Sequence, residues 1–328
     1  MVTREEVARI CGVSTMTVTR VATGKGYVKV ATKEKGQKAI EELGYFPNKL
    51  ASNLAQKRSN EIAIILPALT NPYYLEVIDA IIKESTKYGY VATIFKANEK
   101  ELPDVLQEIV SIRVAGIVNY ASAFPAKYVD ALVKLGVKMI RSNGYVSGFG
   151  RELDYGKSIS DAIKLLKGKG AKEILFVSGM SKEYSEEDPK TGLFLKYMQE
   201  YGLRIDEHSI IYGNYPEEKA FIVGYNIACD IFENKKKPDA VFCMKEMMAF
   251  GFISAAKRKG IKLPNELAIV GFDNIYLSAF YDPPLSTISI DIAHEARMYV
   301  DYIVGVKTDN SHVNACFIER SSTDFVLE

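Results

Sequence analysis

Histidine is scarce in this chain of 328 residues. The three present, His208, His294 and His312, lie far apart and none stands beside a nucleophile motif. No G-x-x-x-x-G-K-[ST] phosphate loop occurs, and Gly168-Lys169-Gly170 reads as a charged helix end. Carboxylates are plentiful but fall into no paired catalytic spacing. The four cysteines, Cys11, Cys229, Cys243 and Cys316, are scattered and form no C-x-x-C pair, which argues against a disulfide framework or a zinc site. The expectation is therefore a protein with no catalytic residues, no metal and no cofactor, hence no enzyme. Apolar runs of 18 residues are also missing, so no membrane span is expected. Arg4-Glu5-Glu6 places charge where a secretory signal needs an apolar core, which points to the cytoplasm.

Aspartate is absent from the first sixty residues. They hold eleven Lys or Arg against five Glu, a balance of +6, and since the whole chain carries +1, the rest sums to −5. A basic head on an acidic body is either a solvated lysine-rich surface or a domain that meets phosphate. The order of residues in the head narrows this choice. Thr3 and Glu6 form a capping box that opens a first helix with Val7, Ala8 and Ile10 on its apolar side. Gly12-Val13-Ser14 is a turn, and Ser14 can cap a second helix in which Val18 and Val21 face inward. Thr15, Met16, Thr19 and Arg20 are left to point outward. A third amphipathic helix is expected over Val30–Leu43, with Ala39, Ile40 and Leu43 as its buried stripe.

These residues resemble the DNA-binding head of the LacI–GalR family of transcription regulators. The matching residues are Val7-Ala8, Gly12-Val13-Ser14, Thr17-Val18-Thr19-Arg20-Val21, Glu42-Leu43-Gly44-Tyr45, Pro47-Asn48 and Ala51-Ser52-Asn53-Leu54. The resemblance implies that the second helix enters a major groove, where Thr15, Met16 and Arg20 meet base edges. Ser14, Thr17, Thr19 and Tyr45 are then placed for phosphates. It also implies that 48–55 form a hinge helix whose Leu54 wedges a minor groove, with Asn48, Ala51 and Ala55 close to the DNA. Without the head, the same stretch would read as a plain linker. Two departures weaken the head: Lys29 stands where a serine cap is usual, and Gly36 where an apolar residue is usual. Each costs about 1 kcal/mol, so the free head is expected to be marginally stable.

From Glu61 the rhythm is β–α. Strands are expected at Ile62–Leu66, Val91–Phe95, Gly116–Asn119, Val137–Ile140, Ile174–Val177, Ser209–Tyr212, Ala240–Met244 and Ala268–Gly271, divided into two sets of four. Anchors such as Asn71-Pro72-Tyr73-Tyr74, Met247-Met248-Ala249, Gly271-Phe272-Asp273-Asn274 and Pro283-Pro284-Leu285-Ser286-Thr287 extend the resemblance over nearly the whole chain. The implied fold class is an all-α helix-turn-helix head plus an α/β body of two Rossmann-like lobes with parallel sheets, like a periplasmic binding protein. The expected domains are a head at 1–46, a hinge and linker at 47–60, an N-terminal lobe at 61–156 and 288–317, and a C-terminal lobe at 157–287 and 318–328.

Ligands bind such sheets at the carboxyl ends of strands. Tyr73 and Tyr74 either line the cleft or pack the start of their helix. Asp273 is the family position that accepts hydrogen bonds from ligand hydroxyls, and Tyr215 is an aromatic position that stacks on the ligand. The family R-x-x-G is Pro189-Lys190-Thr191-Gly192 here, the N-D before M-A is Lys245-Glu246, and the strand-ending aspartate is Asn143. Lys245, with Asn143 and Arg141, favours a sugar acid or sugar phosphate over a neutral sugar; the alternative is a surface pair between Lys245 and Glu246. The resemblance thus implies a repressor that binds a near-palindromic double-stranded DNA operator as a homodimer, controlled by a small-molecule effector. Leu75, Ile78 and Ile82 are candidates for the dimer face, and no coiled-coil tetramer is expected. A catabolite-control-type regulator with a protein co-effector is the alternative, and a transport-type solute-binding protein is a more distant one.

Overall fold

The structure, a computed structural model, describes residues 2–24, 26–46, 59–121, 124–141, 153–213, 219–234, 237–306 and 313–325. The chain divides into two compact units, Met1–Ser59 and Asn60–Glu328.

The first unit contains α1 (Arg4–Cys11), α2 (Thr15–Thr23) and α3 (Val30–Leu43). Thr3 and Glu6 make the capping box: the Glu6 N–H donates to Thr3 Oγ1 at 3.2 Å, and the Thr3 N–H donates to Glu6 Oε2 at 2.8 Å. Gly12 ends α1 in the left-handed region at φ 65°, where a side chain would be strained. Val7, Ala8, Cys11, Val18, Ala39 and Tyr45 form the core, with Ile40 and Leu43 packed at its margin. Lys29 gives α3 no side-chain cap. Gly36 is buried, and a Cβ there would lie 3.2 Å from both Val21 methyls. The glycine therefore lets α3 approach α2 closely, a packing role that partly offsets its low helix propensity.

In the second unit the first sheet has the order β2-β1-β3-β4 and is wholly parallel, with β1 at Glu61–Leu66, β2 at Val91–Lys96, β3 at Gly116–Asn119 and β4 at Lys138–Arg141. Between its strands run α4 (Pro72–Lys87), α5 (Leu102–Ile112) and α6 (Ala126–Lys134). Ile62, Ile64 and Leu66 of β1 face one core, and Ala63 and Ile65 face the other, so both sides of the sheet are covered. The second sheet contains β5 (Leu153–Asp154), β6 (Ile174–Val177), β7 (Ile210–Ile211), β8 (Ala240–Cys243), β9 (Ala268–Asp273), β10 (Ser286–Ile290) and β11 (Val313–Ile318), ordered β5-β11-β10-β9-β8-β6-β7. Its pairs are parallel except β10 with β11. The helices that follow are α7 (Gly156–Gly168), α8 (Lys182–Glu187), α9 (Pro189–Glu200), α10 (Ala220–Asn234), α11 (Glu246–Arg258) and α12 (Ile292–Val304).

The second sheet has seven strands rather than four. The three additional ones, β5, β10 and β11, lie where the chain was expected to cross between lobes. Residues 288–317, assigned to the N-terminal lobe on sequence grounds, are divided in their bonding: α12 packs on α4 and β4, while β10 and β11 hydrogen-bond into the second sheet. Gly116 on β3 makes room for α12, since a Cβ there would meet Ile303 Cγ1 at 2.6 Å. Among the described residues no helix is long and apolar enough to cross a membrane.

Candidate functional site

In the head, Ser14 starts α2 by accepting the Thr17 N–H at 3.2 Å, and its hydroxyl lies 3.0 Å from that of Thr17. With Val18 and Val21 buried, Met16 (62% exposed) and Arg20 are left on the outer face, and Thr15, Thr17 and Thr19 are half-buried. The Thr19 hydroxyl donates to Thr15 O at 3.0 Å, so it is already engaged within the helix. Tyr45 buries its ring in the head core. Tyr27, which sequence reasoning passed over, is 84% exposed beside Gly26, whose backbone runs along the Arg20 stem. The only signal for it was an aromatic residue after a glycine turn. Asn48, Ala51, Leu54 and Ala55 lie outside the described residues, as do Asn143 and Tyr215 in the body.

In the body, the segment after β1 enters α4 through Asn71, whose Oδ1 accepts the Tyr73 N–H at 3.1 Å, and Pro72 occupies the first turn. The structure separates the two tyrosines. Tyr74 is buried in the main core and meets Tyr120 edge-on at 6.1 Å, whereas Tyr73 stays half-buried at the edge of the cores. Burial pushes the Tyr73 phenol well above its ordinary value, and Glu295, Asp273 and Tyr155 add to the shift. The Tyr73 hydroxyl is therefore neutral, able to donate and to accept, and faces carboxylates from α12 and β9.

Asp273 ends β9 with φ 123°, and Asn274 follows at φ 57°. Two successive non-glycine residues in the left-handed region need support from their surroundings. Glu246, at the start of α11, supplies it: Oε1 accepts the Asn274 N–H at 3.1 Å and Oε2 accepts the Ile275 N–H at 2.7 Å. Arg320, just after β11, donates to Asn274 Oδ1 at 2.7 Å and to Leu285 O at 2.6 Å. Glu246 reaches over Gly271, where a Cβ would lie 2.9 Å from its Cγ. Its side chain is fully buried, so the surface pair between Lys245 and Glu246 does not form; the two backbone N–H groups draw the carboxylate inward instead. Burial raises the Glu246 carboxyl, while the hydrogen bonds it accepts pull the other way. Burial also lowers Arg320, opposed by the charge of Glu246. Lys245 precedes α11 at the carboxyl end of β8, half-buried, and Arg141 holds the matching place on β4.

Lys190 is the cleft residue that sequence reasoning missed. Pro189 takes the first position of α9, Asp188 caps it by accepting the Lys190 N–H at 2.8 Å, and the Lys190 ammonium lies 4.2 Å from the Phe272 ring centre and 5.5 Å from that of Tyr155. Hydrogen bonds among the described residues join the lobes around this site. The Tyr276 N–H donates to Glu76 Oε1 at 3.1 Å, and the Tyr184 hydroxyl donates to Glu99 Oε1 at 3.0 Å. Aromatic faces, acceptors and a cation converging at strand ends suit recognition of a small polar molecule.

Comparison with known proteins agrees with both parts. Residues 3–48 match the model for bacterial regulatory proteins of the lacI family, and residues 163–323 match a periplasmic binding protein-like domain. The chain is 32% identical to catabolite control protein A of Priestia megaterium over 295 residues, covering 88% of this chain and 87% of that protein. The chain belongs to the lacI family. It is a transcriptional repressor with a helix-turn-helix head and a two-lobed sensor body, in a family of regulators rather than enzymes. The HTH-type transcriptional repressor PurR of Vibrio parahaemolyticus is 31% identical over 302 residues, covering 88% of this chain and 86% of that one. Solved structures share the fold. The lac repressor dimer bound to operator and the anti-inducer ONPF has a TM-score of 0.80 at 21% identity, covering 98% of this chain and 99% of that chain. A complex of the transcriptional regulator CelR with cellobiose has a TM-score of 0.67 at 20% identity, covering 98% of this chain and 100% of that chain.

Proposed function

We propose that this repressor binds a near-palindromic operator as a homodimer in the cytoplasm, and that a sugar or sugar derivative held in the body cleft sets its operator affinity. The turn at Asp273 is the observation that carries the effector reading. Glu246 and Arg320 hold a strained backbone that projects a carboxylate at the end of β9, across from the neutral phenol of Tyr73. A carboxylate that accepts from hydroxyls beside aromatic faces suits a polyhydroxylated ring. The cellobiose held by CelR supports this reading by analogy of fold. In the head, Arg20 and Met16 on the exposed face of α2 read base edges, while Ser14 and Thr17 meet phosphates. The dimer face is the exposed apolar stripe of α4, Leu75 (55% exposed) and Ile82 (41%), continued by Val91 and Ile94 on the edge strand β2. Ile78, nominated with them from sequence, turns inward to the core.

Effector binding shifts operator affinity only as far as the effector distinguishes the two states of the body. Operator selection with the full chain tests the reading, and it should return a short palindrome. Selection that enriches no sequence, with or without added sugars, sinks it. A second reading is a catabolite-control-type regulator with a protein co-effector, and the chain is 32% identical to a protein named for catabolite control. On that reading, operator affinity stays unchanged across a sugar panel and responds only to a partner protein.

A further inference from the structure

Lys190 carries information about which kind of effector the cleft takes. Its ammonium sits half-buried over two rings that are themselves closed to solvent, Phe272 at 1% and Tyr155 at 4% exposure, set edge-on to each other at 5.2 Å. The aromatic faces attract the cation but offer no acceptor for its three N–H donors. Among the described residues, the ammonium forms no ion pair and no hydrogen bond with the protein, while the backbone N–H of the same residue is held by Asp188. The position is fixed by three features: Pro189 in the first turn of α9, the Asp188 cap, and the seat on Phe272. Tyr155, whose ring lies under the ammonium, and Asp273, the last residue of β9, both act on the Tyr73 phenol, so cation and carboxylate border the same space at the carboxyl end of β9. Arg141 and Lys245 add positive charge at the carboxyl ends of β4 and β8.

We propose that Lys190 receives a carboxylate or phosphate of the effector while neighbouring hydroxyls of the same molecule donate to Asp273, so that the ligand class is a polyhydroxylated acid or a sugar phosphate rather than a neutral sugar. The inference rests on the reading of the cleft as the effector site. A charge-assisted contact made by a held ammonium distinguishes an anion from its neutral analogue far more strongly than a hydroxyl contact does.

Calorimetry on the full chain with D-glucose, D-gluconate and D-glucose 6-phosphate tests this for the wild type, K190M and K190R. Met keeps the stem against the rings without the charge, and Arg keeps the charge. In the wild type, gluconate or glucose 6-phosphate should bind at least tenfold tighter than glucose, and the one that does identifies a carboxylate or a phosphate subsite. K190M should lose that preference by tenfold or more, and K190R should retain it within a few-fold. The proposal is overturned if neither anion binds tighter than glucose in the wild type, or if K190M keeps the wild-type preference. Operator selection reads the repressor function separately, so an anion preference without an operator would fault that function and leave this assignment standing.

Discussion

Replacing Glu246 by glutamine separates two opposing contributions at the turn that presents Asp273. The carboxylate is fully buried and accepts the Asn274 and Ile275 N–H groups at 3.1 and 2.7 Å. Glutamine preserves the volume above Gly271 and one acceptor, but it turns an NH2 group toward the second N–H. Leaving one buried N–H without its acceptor costs about 1–3 kcal/mol. The opposing contribution is desolvation, which the neutral amide avoids. Burial raises the folded-state carboxyl above its ordinary value of 4.5, and the backbone bonds only partly offset it. The hydroxyls of Ser278 and Thr287 also favour the charged form, although neither reaches direct hydrogen-bond geometry. A carboxyl with a raised folded value binds its proton more tightly in the native state. Its contribution to stability is therefore intact below pH 4.5 and falls as pH rises toward the folded value. The amide of the variant does not titrate and shows no such decline. E246Q should thus be destabilised by about 1–3 kcal/mol near pH 4.5, where the native carboxyl is itself protonated, with the gap to wild type narrowing at pH 7, read by urea unfolding at both pH values. A gap that widens with pH would show that the hydrogen bonds outweigh burial and would refute the reasoning. E246A removes both acceptors and leaves the Asn274 and Ile275 N–H groups unpaired, at a cost of about 1–3 kcal/mol for each.

Other perturbations test separate parts of the chain. Gly251→Ala should destabilise the body by about 3 kcal/mol or more, read as a fall in unfolding temperature, because a Cβ there would sit 2.3 Å from Phe221 O and 2.5 Å from Tyr225 N, backbone atoms that cannot rotate away. Lys29→Ser gives α3 the side-chain cap it lacks and should stabilise the head by about 1 kcal/mol, seen as slower amide hydrogen exchange across Val30–Leu43 in the full chain; unchanged exchange would show that the cap is not the weak point. Arg20→Met should weaken the selected operator by about 1–3 kcal/mol and relax preference at one base pair per half-site, whereas a uniform loss across all sequences would reassign Arg20 to phosphate.

The elements that were legible in the sequence are those whose signal is local. Thr3, Gly12 and Ser14 fix the ends of α1 and α2 through their own hydrogen bonds and backbone angles, so reading them in order recovers the head. The eight strands expected in the body are short apolar runs punctuated by helices, and they are equally visible. The strands β10 and β11 escaped because their identity is set by partners far away in the chain: Thr287 opposes Ile318 and Ser289 opposes Cys316, and the antiparallel pair extends a sheet whose other strands follow a βα rhythm. Sequence periodicity consequently places no strand at the crossings between lobes. At Gly36 the sequence shows a glycine in place of the usual apolar helix residue, but not the Val21 methyls that fill the space of the missing side chain.

The cleft shows the same limit in its chemistry. Matching positions one by one placed Pro189 where the family has an arginine and made the cation look lost. The next residue supplies it, since proline in the first helical turn is followed by a lysine whose long stem reaches Phe272. Position alone also made Glu246 a surface partner for Lys245. The burial of Glu246 follows instead from two backbone N–H groups that the turn at Asp273 and Asn274, with its left-handed angles, presents to the carboxylate. Side chain and turn are thus mutually dependent: the strained turn aims the donors, and the buried carboxylate holds the strain. The Glu76 bond to Tyr276 ties this turn to α4, the helix on which Leu75 and Ile82 are exposed.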